Sequence, residues 1–298
     1  MNPLARSALR AAIRHTPTIP PEQAVRRLDR ELTHTPVTTL ARSRLGARFP
    51  VTTSDIIQRY LYMFGTWEPH LTAWISQRLN PGDTFIDVGA NIGYYTMLAS
   101  HLVGRAGRVV AIEPVPRFHR QLQAATRLNG ARNVRTVNRA VAAGPGRVEM
   151  YLGGPGNLGG TSMVRPRTAD EFFCVTTDAL PDILTSAELQ NVRLIKIDVE
   201  GAEEAALRGL TPALSRLHPD VELIIEVTPR TLAKQGTSVQ GVIDPLREAG
   251  FHMYRIANDY DPASYPTALR WPSLPQRWER PVTEMSDLVA SRIDAAHL

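Results

Sequence analysis

Only one cysteine, Cys174, occurs in the 298 residues, which rules out an intramolecular disulfide framework and a cysteine-rich zinc site and fits a reducing compartment. The chain also lacks the ~18 consecutive apolar residues of a membrane helix. Stretches such as Leu194–Ile197 and Leu223–Ile225 are far too short, so a cytoplasmic protein without a transmembrane segment is expected. Lysine is scarce: Lys196 and Lys234 are the only two among 34 cationic residues, a bias that reads as coding preference. No carboxylate precedes Glu22. With 43% hydrophobic residues there is ample material for a core, and disorder as the main state is excluded.

The formal charge of +5 is unevenly placed. Residues 1–50 hold nine arginines against Glu22, Asp29 and Glu31 and carry +6, while the remaining 248 residues carry −1. The folded body is therefore not expected to be a nucleic-acid-binding face. Six prolines and short helical patterns around Leu4–Ile13 and Glu22–Leu32 describe residues 1–50 as a basic arm that packs on the body or on a second subunit. Homo-oligomerisation through this arm is one expectation.

Residues 51–80 read as a helical lead-in, with Leu71, Trp74, Ile75 and Leu79 spaced for one buried face. From Thr84 short apolar strands alternate with amphipathic helices: Thr84–Val88, Arg108–Ile112, Val134–Val137, Leu194–Val199, Glu222–Val227 and Phe251–Ile256. That alternation predicts a parallel sheet covered on both faces, in a doubly wound α/β domain over 81–270, with 271–298 left as a tail. Arg147–Leu152 reads as an added strand. The glycine-rich stretch 153–160 suits a loop over the site, with Thr161 and Ser162 facing the substrate, or a plain hairpin connection.

The strand Thr84–Val88 runs into Gly89-Ala90-Asn91-Ile92-Gly93, and Glu113 ends the next strand. Ligands in such sheets lie beyond the carboxyl ends of the strands, and an acid at this spacing accepts hydrogen bonds from ribose hydroxyls. A nucleoside-containing cofactor follows. The turn lacks the G-x-G-x-x-G pattern of dinucleotide binders, and Asp87 beside it would repel a pyrophosphate while suiting an ammonium and a sulfonium. S-adenosylmethionine is thus favoured over NAD.

Residues 84–98, Ala111–Pro114, Asn138–Ala140 and Ile195–Glu203 resemble the successive signatures of the FkbM family of S-adenosylmethionine-dependent methyltransferases, in order, over about residues 64 to 256. The resemblance implies a class I methyltransferase fold: a Rossmann-like, mostly parallel seven-stranded sheet with a reversed final strand. It also implies that Asp87, Gly89, Asn91 and Gly93 hold the methionine part, Glu113 the ribose, and Asn138 with Ala140 the adenine rim. The expected reaction is O-methylation of a small natural product, sugar or glycolipid.

Lys196 and Asp198 share one side of a strand that should be apolar on both faces. Two readings are open for Lys196: a structural ion pair, or a cation that eases deprotonation of the substrate hydroxyl. Asp198, at the carboxyl end of its strand, is the better catalytic candidate. Glu226 ends the neighbouring strand, and with Asp198, joined or not by Glu200, it would offer oxygen ligands for Mg²⁺. Glu203 reads instead as a first-turn helix acid. The eight histidines form no zinc pattern. Competing functions are N-methylation of a peptide or nucleoside, and a cofactor-binding protein without catalysis.

Overall fold

The computed structural model describes residues 3–15, 18–151 and 172–298. Helices α1 (Pro3–His15) and α2 (Glu22–His34) precede a hairpin of β1 (Thr38–Arg42) and β2 (Arg48–Thr52). Helices α3 (Ile56–Phe64) and α4 (Pro69–Arg78) follow. Next come β3 (Thr84–Val88), α5 (Tyr94–Val103), β4 (Arg108–Ile112), α6 (Pro116–Leu128) and β5 (Val134–Val137). Then β6 (Ala140–Val141), β7 (Gly146–Tyr151) and β8 (Phe172–Asp178) form a small side sheet. The second half runs α7 (Leu180–Ile183), α8 (Ser186–Gln190), β9 (Val192–Ile197), α9 (Glu203–Leu210), β10 (Glu222–Val227), α10 (Pro229–Lys234), α11 (Val239–Glu248), β11 (His252–Ile256), α12 (Tyr265–Arg270), β12 (Gln276–Arg277) and β13 (Ser286–Ser291).

The central sheet has the order β12-β11-β13-β10-β9-β3-β4-β5. Strands β5, β4, β3, β9 and β10 pair in parallel, while β13 pairs antiparallel with both β10 and β11. Seven strands thus build the class I methyltransferase order, with the two-residue β12 added at one edge. The reversed strand lies inside 271–298, the stretch that reads as a tail in sequence. Its Ser-Asp-Leu-Val-Ala-Ser is short and partly polar, yet all six residues are buried, because β13 lies between β10 and β11.

Every residue of β3 is buried, as expected for the middle of a parallel sheet with helices on both faces. Alternation along the strands divides the core in two. Ile86, Val110, Ile195, Leu223 and Leu288 join one apolar cluster, and Phe85, Val109, Leu194, Ile224 and Val289 join the other. The period of two then assigns Asp87, Lys196, Glu226 and Asp287 to the second of these faces. Register brings them into a row: Asp87 pairs with Lys196 across β3 and β9, and Glu226 with Asp287 across β10 and β13.

The N-terminal segment covers this polar face. All but two residues of α3 are buried, and Trp74 and Ile75 of α4 are nearly inaccessible. The basic arm packs on its own chain. Val25, Leu28 and Leu32 of α2 are fully buried, and Arg59 on α3 pairs with Asp29 at 2.7 Å. Among the described residues no helix is long and apolar enough to cross a membrane.

Candidate active site

A cavity of about 270 Å³ opens at the carboxyl ends of β3, β4, β9 and β10, between the glycine turn after β3 and the N-terminal cover. Gly89 has φ +85°, and a Cβ placed there would lie 1.8 Å from the backbone oxygen of Asp198. Only glycine lets the two strand-end loops approach this closely. Gly93, φ +90°, starts α5, where a Cβ would strike Leu122. Gly93 itself does not line the cavity; it allows the turn that presents Ala90, Asn91 and Ile92 to it.

Asp87 is buried, and one carboxylate oxygen accepts a 2.6 Å hydrogen bond from Thr96 Oγ1. Burial raises its pKa against the opposing pull of Lys196. Glu113, at the end of β4, accepts one backbone N–H on each oxygen, from Asn91 at 2.7 Å and Val115 at 2.8 Å. Each oxygen keeps a lone pair for a ligand hydroxyl. Burial pushes the Glu113 pKa up to about 7. Ala140 lines the cavity beside Val141 and Ala142.

Asn138 is not on the cavity wall. Its amide donates to the carbonyls of Glu113 and Pro114, both at 2.8 Å, and so holds the backbone that carries Glu113. Proximity in sequence to Ala140 suggests a direct contact, but Asn138 lies in the short link between β5 and β6, and there its side chain turns towards the loop after β4. Thr161, Ser162 and the glycine-rich stretch lie outside the described residues.

The catalytic candidates meet at the opposite wall. Lys196 is 4% exposed; its ammonium lies 2.7 Å from Asp198 Oδ2 and 4.9 Å from the centre of the Tyr95 ring. Burial works against this charge, but Asp198, Glu68 and Asp87 outweigh it and hold the lysine pKa above its ordinary value. The amine therefore stays protonated. Asp198, Glu200 and Glu226 each bring a carboxylate oxygen within 4.8 Å of the others. Burial, then Asp198 and Glu203, push Glu200 up to about 8. Burial, then Asp198 and Asp287, raise Glu226 well above the carboxylate range. Glu203 stands apart: one oxygen accepts the Gly201 N–H at 2.9 Å, which fits its place in the first turn of α9.

Residues from both ends of the chain complete the wall. Glu68, between α3 and α4, is buried in a left-handed conformation with φ +42°. It accepts hydrogen bonds from Tyr95 at 2.5 Å and Tyr260 at 2.7 Å. Tyr260 also reaches Glu226 at 3.4 Å and stacks on Trp67 with ring centres 5.1 Å apart. Asn258 bridges Glu68 and Asp287. Glu68 and Trp67 can be singled out in the sequence just before the domain. Tyr260, Asn258 and Asp287 carry no local pattern; the one available signal for Asp287 is an acid in a short apolar stretch, Leu288-Val289-Ala290.

The strand order, the glycine turn and the acid at the end of β4 are those of a class I methyltransferase domain. Comparison with known proteins takes this further: residues 87–253, more than half of the chain, match the methyltransferase FkbM domain, and the chain belongs to that family of S-adenosylmethionine-dependent methyltransferases. It is 26% identical over 194 residues to the hexuronic acid methyltransferase AglP of Haloferax volcanii, covering 64% of this chain and 76% of that protein. Over 71 residues it is 30% identical to protein-L-isoaspartate O-methyltransferase 2 of Archaeoglobus fulgidus, 23% of this chain and only 32% of that protein. Among solved structures, a SAM-dependent O-methyltransferase of Thermotoga maritima aligns with a TM-score of 0.43 at 15% identity, over 87% of this chain and 78% of that one.

Proposed function

We propose that the chain moves the methyl group of S-adenosylmethionine onto a hydroxyl oxygen of a small acceptor, with sugars and uronic acids the favoured class. The observation that carries this is the Lys196–Asp198 pair in the cavity wall. A permanently charged ammonium stabilises negative charge developing on an acceptor oxygen and opposes the positive charge that an amine acceptor gains. The sugar class is supported by the relative from Haloferax volcanii, whose name gives hexuronic acid as its substrate.

The cofactor supplies an electrophilic methyl on a cationic sulfur, and the chain's own residues supply the rest. Glu113 takes the ribose hydroxyls on the lone pairs its backbone partners leave free. Asp87 and the turn at 89–93 hold the charged methionine end. Lys196 occupies one oxygen of Asp198, which leaves the other for the acceptor proton. Holding acceptor and donor in line is worth ~7–11 kcal/mol in favourable cases, so alignment does most of the work.

The all-oxygen donor set of Asp198, Glu200 and Glu226, without histidine, fits Mg²⁺. A bound divalent cation there would lower the pKa of a hydroxyl in contact with it. The test is methyl transfer from labelled S-adenosylmethionine to a panel of neutral sugars and uronic acids, with Mg²⁺ or a chelator. Asp198→Asn should lower turnover at least a hundredfold while the affinity for S-adenosylmethionine stays within about threefold. Unchanged turnover in the variant would remove Asp198 from the chemistry.

A further inference from the structure

Three arginines from the basic arm and hairpin, Arg10, Arg14 and Arg44, converge on the last turn of α3. Arg10 Nε donates to the Tyr62 carbonyl at 2.7 Å, Arg14 reaches the Leu61 and Tyr62 carbonyls at 3.4 and 3.3 Å, and Arg44 Nε donates to the Phe64 carbonyl at 3.2 Å. Arg14 also spans to the Arg42 carbonyl at 2.8 Å. A helix carboxyl end offers roughly half a negative charge, whereas three full cations meet here. Among the described residues no carboxylate lies within ion-pair distance of any of the three. Their repulsion is visible on Arg14, whose pKa burial and then Arg10 and Arg44 pull down to about 10.

A second feature adjoins the cluster. Behind Arg44 lies a separate, largely apolar cavity of about 140 Å³ that Ser43, Thr66 and Ser76 also line; the Ser76 hydroxyl donates to the Thr72 carbonyl at 2.7 Å and Thr66 Oγ1 lies 2.8 Å from the Tyr94 hydroxyl. Arg44 itself is exposed at its mouth. Cations in excess of their counter-charge, with Arg44 at the mouth of a space large enough for a tetrahedral ion, make a receptor for a doubly charged oxyanion.

We propose that the Arg10–Arg14–Arg44 cluster binds a phosphate dianion, either free in solution or displayed as a monoester headgroup on a lipid. The site is distinct from the methyl-transfer cavity, although Tyr94 lines both. Melting of the full chain is followed during titration with inorganic phosphate, against chloride at matched ionic strength. Phosphate stabilises many proteins without binding a site, so variants decide the matter. The wild type should show a saturable rise in melting temperature. Arg44→Gln, at an exposed position, and Arg14→Gln should each weaken the apparent affinity about tenfold, while Arg208→Gln on α9 should not. An equal phosphate response in all four proteins, or none in the wild type, overturns the proposal. Flotation with vesicles containing phosphatidic acid, but not with phosphatidylcholine alone, and its loss in Arg44→Gln, assigns the lipid source. A saturable phosphate response without flotation assigns the soluble ion.

Discussion

Glu113→Gln separates what this residue costs the fold from what it does for the cofactor. Its carboxyl is fully enclosed, and its pKa stands at about 7 against an ordinary 4.5. Below pH 4.5 the group is protonated in the folded and unfolded states alike and contributes no pH dependence. Between pH 4.5 and 7 the unfolded chain ionises while the folded chain keeps its proton, and above 7 the fold carries an ionised carboxylate at a cost of about 3 kcal/mol. Glutamine has no such charge, so its stability relative to wild type should rise by about 3 kcal/mol between pH 4.5 and 8.5. Urea unfolding of the cofactor-free protein at the two pH values measures this directly. The same change leaves one acceptor oxygen where two backbone N–H groups and, in the binding mode proposed above, two ribose hydroxyls converge, so affinity for S-adenosylmethionine should fall by roughly ten- to a hundredfold. A relative stability that does not move with pH would refute the burial argument, and an unchanged affinity would refute the ribose contact.

Replacing Lys196 with methionine leaves Asp198, Glu68 and Asp87 facing one another without their shared cation, and breaking such a buried pair costs about 3–5 kcal/mol; a loss below 1 kcal/mol by denaturant unfolding at pH 7 would mean that the row of charges is not coupled as described. Gly89→Ala places a methyl group 1.8 Å from the Asp198 carbonyl in a backbone conformation that disfavours alanine, so calorimetry should detect no binding of S-adenosylmethionine at concentrations that saturate the wild type. Leu28→Ala, at a fully buried position of α2, should cost about 2–5 kcal/mol and speed proteolysis of the arm; digestion at the wild-type rate would argue that the arm is not docked on the body.

Much of the site could be read before the fold was known because its key residues sit on strand ends whose local pattern is strong. The β3 strand, the glycine turn and Glu113 are near neighbours in sequence, and the chemistry of each survives without tertiary information: an acid before the turn, a turn only glycine can make, an acid at ribose spacing. Lys196 and Asp198 stand out for the same reason, since charges interrupt a strand that should be apolar. The row that joins Asp87, Lys196, Glu226 and Asp287 is a matter of register, and register is decided between strands rather than within them.

Sequence by itself determined the alternation of elements, the cofactor's chemical class and the acids that line the candidate cavity, because periodicity and residue chemistry are local properties. Tertiary structure alone decided three things. It made the stretch 271–298 part of the sheet, since a strand as short as β13 is stabilised by the two neighbours it lies between. It turned Asn138 from the cavity to the backbone behind Glu113, because side-chain direction depends on the loop packed beside it. And it brought Glu68 and Tyr260, 192 residues apart, to one hydrogen bond beside the Lys196–Asp198 pair, a contact that only chain folding can create.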